Sequence, residues 1–180
     1  MTTGHVFIAT SLDGFVARRD HRLDWLMKQN TEGEDHGYEA FLAGVDGLVM
    51  GSGSYKTVLG FGDWPYAKPV IVMSTSLSRA DVPAELADRV RVTDLGPRDL
   101  MRELQAEGWS RAYIDGGQVV QSFLRANLIR DLVVTLVPIL IGEGRRLFGE
   151  IAEDIDLDLL GVTSFPSGLV QTRYKIKPAL

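Results

Sequence analysis

Four short segments place glycine or small hydroxyl residues where a predicted strand ends. They are Ser11-Leu12-Asp13-Gly14, Gly51-Ser52-Gly53-Ser54, Ser74-Thr75-Ser76 and Asp115-Gly116-Gly117. Ligands of open α/β sheets bind outside the carboxyl ends of the strands, so the four segments are expected to converge. The second and fourth lead directly into predicted helices, whose free N–H groups and positive dipole ends attract phosphate. Each segment alone is also typical of an ordinary turn, but together they favour a diphosphate-containing cofactor.

The sequence lacks the motifs of several other chemistries. It contains neither G-x-G-x-x-G nor G-x-x-x-x-G-K-[ST], and neither G-x-S-x-G nor H-E-x-x-H. Its three histidines are scattered, which indicates no metal site. The chain has no cysteine, which excludes disulfides, thiolate metal sites, iron–sulfur clusters and cysteine nucleophiles. Any redox chemistry therefore belongs to a bound cofactor.

Short β-rich runs alternate with helix-length amphipathic stretches, a pattern typical of an α/β fold with a largely parallel sheet. We predict strands over residues 5–10, 47–50, 70–74, 89–92, 111–114 and 132–137, and helices over 34–43, 53–59, 97–107 and 118–126. Segments 157–165 and 169–176 flank Pro166-Ser167-Gly168, which predicts an antiparallel hairpin with a tight turn. Residues 11–31 form a long predicted loop, of the kind that covers a site.

Composition sets the class of the protein. The chain has 180 residues, of which 45% are hydrophobic and 24% charged, and this predicts one globular domain over residues 1–180. A net charge of −5, with both signs mixed along the chain, provides no surface for a nucleic-acid backbone. The sequence shows no signal segment and no apolar run of the ~20 residues that a membrane helix needs. We therefore expect a cytoplasmic protein without a membrane or nucleic-acid partner.

Four segments in matching order resemble the dihydrofolate reductase superfamily. They are Ile8-Ala9-Thr10-Ser11-Leu12-Asp13-Gly14, Val49-Met50-Gly51-x-x-x-Tyr55, Pro69-Val70-Ile71-Val72-Met73-Ser74 and Tyr113-Ile114-Asp115-Gly116-Gly117. A fifth, Pro138-x-Leu140-x-Gly142-x-Gly144-x-x-Leu147-Phe148, is similar to the branch named for the C-terminal reductase domain of the bifunctional riboflavin-biosynthesis deaminase-reductase. The resemblance spans nearly the whole chain. It implies a three-layer α/β fold, with a mostly parallel sheet between helices and a C-terminal antiparallel hairpin.

The resemblance also implies that NADPH lies across the strand ends, with its pyrophosphate between two helix starts. The implied contacts are Gly51, Ser52, Gly53, Ser54, Gly116, Gly117, Gln118 and Val119. Ser74, Thr75 and Ser76 would flank the ribose 2′-phosphate, with Arg79 paired to it, although these hydroxyls are also typical of a turn cap. Ala9 and the following loop would cover the nicotinamide, with Gly14 supplying an unusual backbone angle. Relatives usually carry Arg or Lys at the position of Ser52, so the choice between NADPH and NADH as the cofactor stays open.

Hydride transfer to a C=N or C=O bond leaves negative charge that a proton must neutralise, so an acid beside the substrate is useful. The candidate acids are Asp24, Asp35, Glu39 and Asp115. Asp35 stands at the predicted helix start from which dihydrofolate reductases offer their substrate-binding acid; alternatively, it is a solvated acid stabilised by the helix dipole. Asp115 lies where the riboflavin branch often has an acidic residue, and a simple turn is its alternative.

Other residues have two interpretations each. Asp24 and Trp25 provide an aromatic wall over a flat substrate, or Trp25 belongs to the core. Similarly, Trp64-Pro65-Tyr66 lines the site or packs a loop. Gly142-Glu143-Gly144-Arg145-Arg146 brings two positive charges to a phosphorylated substrate, or forms a solvated turn. Asp13 shapes its own turn through an Asx-type bond, or lies near the substrate.

Together these observations predict an NADPH-dependent reductase acting on a small heterocyclic (pterin, pyrimidine or flavin-like) or carbonyl substrate. Asp35 or Asp115 would lie near the reacting bond, and catalysis would rest mainly on placing the nicotinamide against the substrate. The alternatives are a true dihydrofolate reductase, a riboflavin-pathway ribosylamino-pyrimidine reductase, and a nucleotide-binding protein of the same fold without catalysis. The resemblance also implies a homodimer, with the apolar residues 132–141 as core or interface.

Overall fold

A central eight-stranded sheet organises the structure, a computed structural model that describes residues 1–178. In chain order the strands are β1 (Thr3–Ser11), β2 (Phe15–Ala17), β3 (Gly47–Gly51), β4 (Val70–Met73), β5 (Val90–Thr93), β6 (Arg111–Asp115), β7 (Ile129–Val137), β8 (Arg145–Arg146), β9 (Leu157–Ser164) and β10 (Val170–Ile176). The order across the sheet is β5-β4-β3-β6-β1-β7-β10-β9, and β2 pairs separately with β8.

Neighbouring strands from β5 to β7 are parallel, whereas β10 is antiparallel to both β7 and β9. Parallel neighbours need crossover connections, most of which are helical. The helices are α1 (Asp24–Met27), α2 (Tyr38–Ala43), α3 (Ser52–Leu59), α4 (Pro97–Ala106) and α5 (Gly117–Arg125), with 3₁₀ turns at Arg79–Asp81 and Ala84–Leu86. This α/β arrangement, with β9 and β10 as the C-terminal hairpin, confirms the predicted fold class.

Alternating side chains of β3 divide the core into two apolar layers, one on each face of the sheet. Val49 packs in one cluster with Leu100 of α4 and Phe123 of α5. Leu48 and Met50 pack in the other cluster, on the side of α2 and α3. Successive residues of a strand point to opposite faces, so a run that is apolar throughout indicates a strand buried on both sides. The three layers follow from such runs.

Most predicted boundaries lie close to the observed ones, but the helix predicted over 34–43 is wrong at its start. α2 begins only at Tyr38. Gly37 has a φ of 79°, a left-handed conformation that interrupts any helix entering from the N-terminal side. The Gly37 N–H donates to the Asp35 carboxylate at 2.8 Å, as in an Asx-type turn. The amphipathic pattern therefore extended the helix across a turn.

The segment predicted as one long loop over 11–31 contains two short elements, β2 and α1. Phe15 lies opposite Arg146, and Ala17 lies opposite Arg145, in the pairing of β2 with β8. Strands this short show no alternation from which they could be recognised. The segment is thus anchored near its beginning to the part of the chain that follows β7.

The apolar run over residues 132–141 belongs to the core where it forms β7. Residues 132–141 begin in β7, which lies between β1 and β10, and Leu132, Val134 and Val137 are buried there. This run is therefore core along β7, and the homodimer stays a prediction. Within residues 1–178 there is no helix with the length and apolar character needed to cross a membrane.

Candidate functional site

A cleft of about 1170 Å³ opens at the carboxyl ends of β1, β3 and β6. Ala9, Gly51 and Asp115 mark these three strands on its wall. The helices α3 and α5 begin at the same wall, and parts of residues 17–27 border the opening. Met73, the last residue of β4, also lines the cleft, so the predicted convergence of strand ends is observed for β1, β3, β4 and β6.

The two helices that start at the cleft leave their first N–H groups without a side-chain cap among residues 1–178. Gly51 is the N-cap residue of α3, and Gly116 is that of α5. Gly116 has a φ of 90°, which L side chains rarely adopt, and a Cβ there would lie 2.7 Å from Ser54 Oγ. Free N–H groups at the positive ends of helix dipoles bind anions. The two starts therefore form one wall with the chemistry to bind an anion.

The surroundings of Asp115 favour its neutral form. Tyr113 Oη lies 2.8 Å from the Phe7 carbonyl and 3.4 Å from Asp115 Oδ1. A carbonyl can only accept, so the single phenolic proton goes to Phe7 at the shorter distance. The Tyr113 hydroxyl thus donates chiefly to Phe7, and its longer contact with Asp115 is the weaker of the two. Burial raises the pKa of Asp115, although hydrogen bonds from the Gly116 N–H, the Ser54 hydroxyl and the Tyr113 hydroxyl act in the opposite direction.

Three tyrosines surround this carboxyl. Tyr66 and Tyr113 line the cleft, and the Tyr38 ring centroid lies 6.4 Å from that of Tyr113. Burial, together with the nearby Asp115, raises the pKa of Tyr38 to about 12 and holds the pKa of Tyr66 and Tyr113 above the usual range. All three therefore stay neutral, and Tyr66, Tyr113 and Phe7 give this end of the cleft a largely aromatic wall.

Basic side chains lie elsewhere on the cleft wall. His21, Lys56 and Arg145 all line it. Arg146 instead lies over the Phe15 ring, with its guanidinium carbon 4.7 Å from the centroid. Of the two adjacent arginines, Arg145 therefore reaches the cleft, whereas Arg146 packs on β2.

Most of the chain that builds this cleft matches a known family. A family model described as the RibD C-terminal domain covers residues 3–171. This chain belongs to the RibD C-terminal domain family. The matched residues include β1, β3, β6 and the starts of α3 and α5, so the whole cleft lies inside the match. Membership confirms the resemblance to the riboflavin branch.

Similar proteins cover nearly the full length of this RibD-type chain. The uncharacterized protein YwjB of Bacillus subtilis (strain 168) is 31% identical over 172 residues, which are 94% of this chain and 95% of that protein. A crystal structure from Shewanella sp. PV-4, of a protein provisionally named for riboflavin biosynthesis, has a TM-score of 0.91 and 40% identity, covering 98% of this chain and 100% of that one. Dihydrofolate reductase from Enterococcus faecalis, complexed with NADP(H), has a TM-score of 0.65 and 15% identity, over 98% and 97% of the two chains. The fold is therefore dihydrofolate-reductase-like.

Most of the predicted cofactor residues lie together on the wall of the RibD-type cleft. They are Ala9, Gly51, Ser52, Gly53, Ser54, Gly116, Gly117, Gln118 and Val119. They were predictable because parallel strands bring their carboxyl ends to one edge of the sheet and the following helices begin there. Their contacts with a cofactor stay a prediction.

Five predicted cofactor residues do not line this cleft: Gly14, Ser74, Thr75, Ser76 and Arg79. Ser74 Oγ accepts hydrogen bonds from the N–H groups of Ser76 and Leu77 at 3.2 and 3.0 Å. Ser74 therefore shapes the turn after β4. Gly14 has the predicted unusual angle, with a φ of 88°, but its carbonyl accepts a hydrogen bond from the N–H of Leu147.

Of the four candidate acids, Asp24 and Asp115 line the cleft. Asp35 is exposed and outside it, because the helix that was expected to begin there starts three residues later, at Tyr38. Glu39 is exposed on α2. Asp24 accepts two hydrogen bonds from Arg18, at 2.6 and 2.9 Å, and these lower its pKa. Asp24 is thus a charged ion-pair partner, and Asp115 is the acid suited to hold a proton.

Two further alternatives are resolved by packing. Trp25 is fully buried against Val137 and Leu169, so it belongs to the core and forms no wall of the cleft. The Asp13 carboxylate accepts hydrogen bonds from the N–H groups of Ile141 and Gly142 on a distant segment. Asp13 therefore ties the loop after β1 to the segment after β7, which is neither of the predicted roles.

Tyr113, Lys56 and His21 are among the cleft residues that sequence reasoning did not assign. Tyr113 lies two residues before Asp115 on one strand, so their shared face was a usable signal. Lys56 lies four residues after Ser52 on α3, which places both on one side of the helix. His21 had no local signal, because it follows a strand whose pairing with β8 only the structure shows.

Proposed function

We propose that this protein is an NADPH-dependent reductase that transfers hydride to a small heterocyclic (pterin, pyrimidine or flavin-like) or carbonyl substrate. The observation that carries the proposal is the position of Asp115, directly before the uncapped start of α5 in the cleft. A reductase needs an anion-binding surface for the cofactor and an acid beside the reacting bond. Here the two lie next to each other in the chain.

The dimensions and polarity of the cleft fit a dinucleotide. Its volume of about 1170 Å³ exceeds the roughly 300–1,000 Å³ of a pocket for one small molecule, so a cofactor and a substrate fit side by side. The helix starts at Gly51 and Gly116 suit a diphosphate. The NADP(H) of the similar Enterococcus faecalis enzyme supports the choice of cofactor. When bound, NADPH supplies the hydride.

In this proposal, Asp115 gives the substrate its proton. Burial raises the pKa of Asp115, so this carboxyl is suited to keep a proton, and Tyr113 Oη lies 3.4 Å from its Oδ1. Phe7 and Tyr66 line the same cleft. A neutral acid beside the reacting bond can donate its proton as negative charge develops on the substrate.

One narrower function is favoured by a specific observation. A riboflavin-pathway ribosylamino-pyrimidine reductase requires a cation for a phosphorylated substrate, and Arg145 faces the cleft. A true dihydrofolate reductase is favoured less, because Asp35 lies outside the cleft. The raised pKa of Asp115 supports an enzyme over a binding protein, since nucleotide binding alone has no use for a neutral acid there.

Calorimetric titration with NADPH and NADH tests the cofactor site. The variant Ser52→Asp adds a negative charge in the first turn of α3 and requires no change in the backbone conformation. Its matched control is Gly96→Asp, at the start of α4, where an added Cβ meets nothing within 4 Å. We expect the first variant to weaken NADPH binding by about tenfold or more, and the control to bind as the wild type does.

Turnover is tested by the loss of NADPH absorbance with pterins, pyrimidines and carbonyl compounds as substrates. Consumption that depends on one of these substrates supports the reductase. Wild-type protein that binds neither nucleotide contradicts the proposal. Binding without consumption across the whole panel favours the non-catalytic alternative.

A further inference from the structure

We propose that Lys56 and Arg145, together with the imidazole of His21, form an anion site for the diphosphate of the bound cofactor, an inference that rests on the proposed function. The three side chains come from the segment after β2, from α3 and from β8, and all line the same cleft. Cationic N–H donors bind phosphate oxygens through short, charge-assisted hydrogen bonds. The site thus joins three separate parts of the chain around one anion.

His21 lies directly on the start of α3. A Cβ at Gly53 would lie 2.3 Å from His21 Cε1, so the imidazole packs against the glycine in the first turn of that helix. His21 has a φ of 68°, a left-handed conformation that is uncommon for residues other than glycine. The backbone therefore turns the imidazole toward the N–H groups that attract phosphate.

Lys56 and Arg145 lie close enough to act on the imidazole. Burial lowers the pKa of His21, and the charges of Arg145 and Lys56 lower it further, while Asp20 opposes them. Arg145 is oriented by its Nε–H, which donates to the Arg19 carbonyl at 3.2 Å. Positive charge therefore accumulates around His21 before any ligand binds.

The other arginines near the cleft are neutralised. Arg18 pairs with Asp24 at 2.6 Å, and Arg22 pairs with Asp20 at 2.7 Å. In the described part of the chain, residues 1–178, neither Lys56 nor Arg145 has an ion-pair partner.

Ser52 explains why cations from other elements are needed. It occupies the first position of α3 and brings no charge to the phosphate side of the cleft. Backbone N–H groups alone leave most of the charge of a diphosphate uncompensated. Lys56 one turn later and Arg145 supply the charge that position 52 lacks, and His21, whose lowered pKa favours the neutral imidazole, adds a ring N–H donor.

Variants of the adjacent residues Arg145 and Arg146 test whether this site binds the cofactor. NADPH affinity is measured by calorimetry for the wild type, Arg145→Gln and the matched control Arg146→Gln, which alters a guanidinium packed on Phe15. Lys56→Gln and His21→Asn are measured in parallel, because asparagine accepts the left-handed backbone of position 21. We expect Arg145→Gln, Lys56→Gln and His21→Asn each to weaken NADPH binding by about fivefold to tenfold, and Arg146→Gln to change it less than about twofold.

Two probes identify the source of the phosphate. Inorganic pyrophosphate should compete with NADPH in the wild type and about fivefold less well in Arg145→Gln, whereas reduced nicotinamide riboside, which lacks phosphate, should bind both equally. Equal NADPH affinities for Arg145→Gln and Arg146→Gln overturn the inference and assign Arg145 to another anion, such as a substrate phosphate. That result leaves the proposed reductase intact, because the reductase fails only if wild-type protein does not bind NADPH or consume it.

Discussion

Tyr113 and Asp115 stand two residues apart on β6, so both side chains lie on one face of the sheet, with Tyr113 Oη 3.4 Å from Asp115 Oδ1. The Tyr113 hydroxyl donates chiefly to the Phe7 carbonyl, at 2.8 Å, and its hydrogen bond to the Asp115 carboxyl is the longer one. Burial raises the pKa of Asp115 against this bond and those from the Gly116 N–H and the Ser54 hydroxyl. The strand therefore sets the position of the acid, and burial favours its protonated form.

Asp115→Asn should separate catalysis from cofactor binding. The amide keeps the shape of the side chain but has no acidic proton, so we expect kcat to fall by about 10²–10⁴-fold, the usual contribution of a general acid. NADPH affinity, measured by calorimetry, should change little. Asp35→Asn is the matched control, since Asp35 is exposed and outside the cleft. Undiminished turnover in Asp115→Asn would remove Asp115 from the mechanism.

The raised pKa of Asp115 predicts a pH dependence of stability. The folded protein binds this proton more tightly than the unfolded chain, in which the pKa is near 3.8. The free energy of unfolding should therefore decrease as the pH rises from that value through the raised pKa. Urea denaturation over this range should show that Asp115→Asn lacks this part of the slope and gains stability relative to wild type toward neutral pH. Parallel slopes for the two proteins would contradict the shift.

Gly116→Ala should show how much the conformation of this N-cap depends on glycine. A side chain at a φ of 90° is strained, and its Cβ would lie 2.7 Å from Ser54 Oγ. We expect the free energy of unfolding, measured in urea, to fall by about 1–3 kcal/mol. Gly44→Ala, at a φ of −85° with ordinary contacts around its Cβ, should change it by less than about 0.5 kcal/mol. Similar losses in the two variants would argue against a special backbone at Gly116.

Ser52→Arg should tighten cofactor binding. The resemblance places a cation at this position in relatives, and an arginine there adds charge at the start of α3. We expect NADPH affinity to rise by about fivefold, with a smaller gain for NADH, which lacks the 2′-phosphate. Ser52→Gln controls for side-chain size. If both nucleotides gain equally, the added charge acts on the diphosphate that they share and not on the 2′-phosphate.

The parts of the site that the sequence predicts are those set by regular elements. The apolar run before Gly51 and the strand before Asp115 define their own ends, and a parallel sheet brings such ends to one edge. The helix starts at Gly51 and Gly116 follow from glycines directly after these strands. The positions and local chemistry of these residues depend on their neighbours in the chain. Sequence patterns can therefore predict them.

The parts that the sequence does not predict depend on contacts between distant segments. Asp35 was placed at a helix start because the pattern around it is amphipathic, but Gly37 takes a left-handed angle and the helix begins after it. His21 reaches the cleft through the pairing of β2 with β8, whose partners lie well over one hundred residues apart. Short strands carry no periodic signal of such pairing.

Glu34 joins the segment before α2 to the turn between β9 and β10. Its carboxylate accepts hydrogen bonds from Ser167 N–H at 2.7 Å and from Ser167 Oγ–H at 2.8 Å, and lies 2.9 Å from His36 Nε2. Burial acts against the charged form, but the contacts with His36 and Ser167 prevail and lower the pKa of Glu34. The stability from this group is present above the ordinary glutamate pKa and is lost as the pH falls through the lowered value.

Glu34→Gln should therefore lower the urea midpoint at neutral pH, because the amide keeps the size of the side chain but loses the charge that these donors stabilise. The difference from wild type should shrink in acid, where the wild-type carboxyl takes up its proton. Glu32→Gln, at an exposed position two residues earlier, should leave the midpoint unchanged at every pH. Equal midpoints for Glu34→Gln and wild type at neutral pH would show that the hairpin turn holds this segment without the carboxylate.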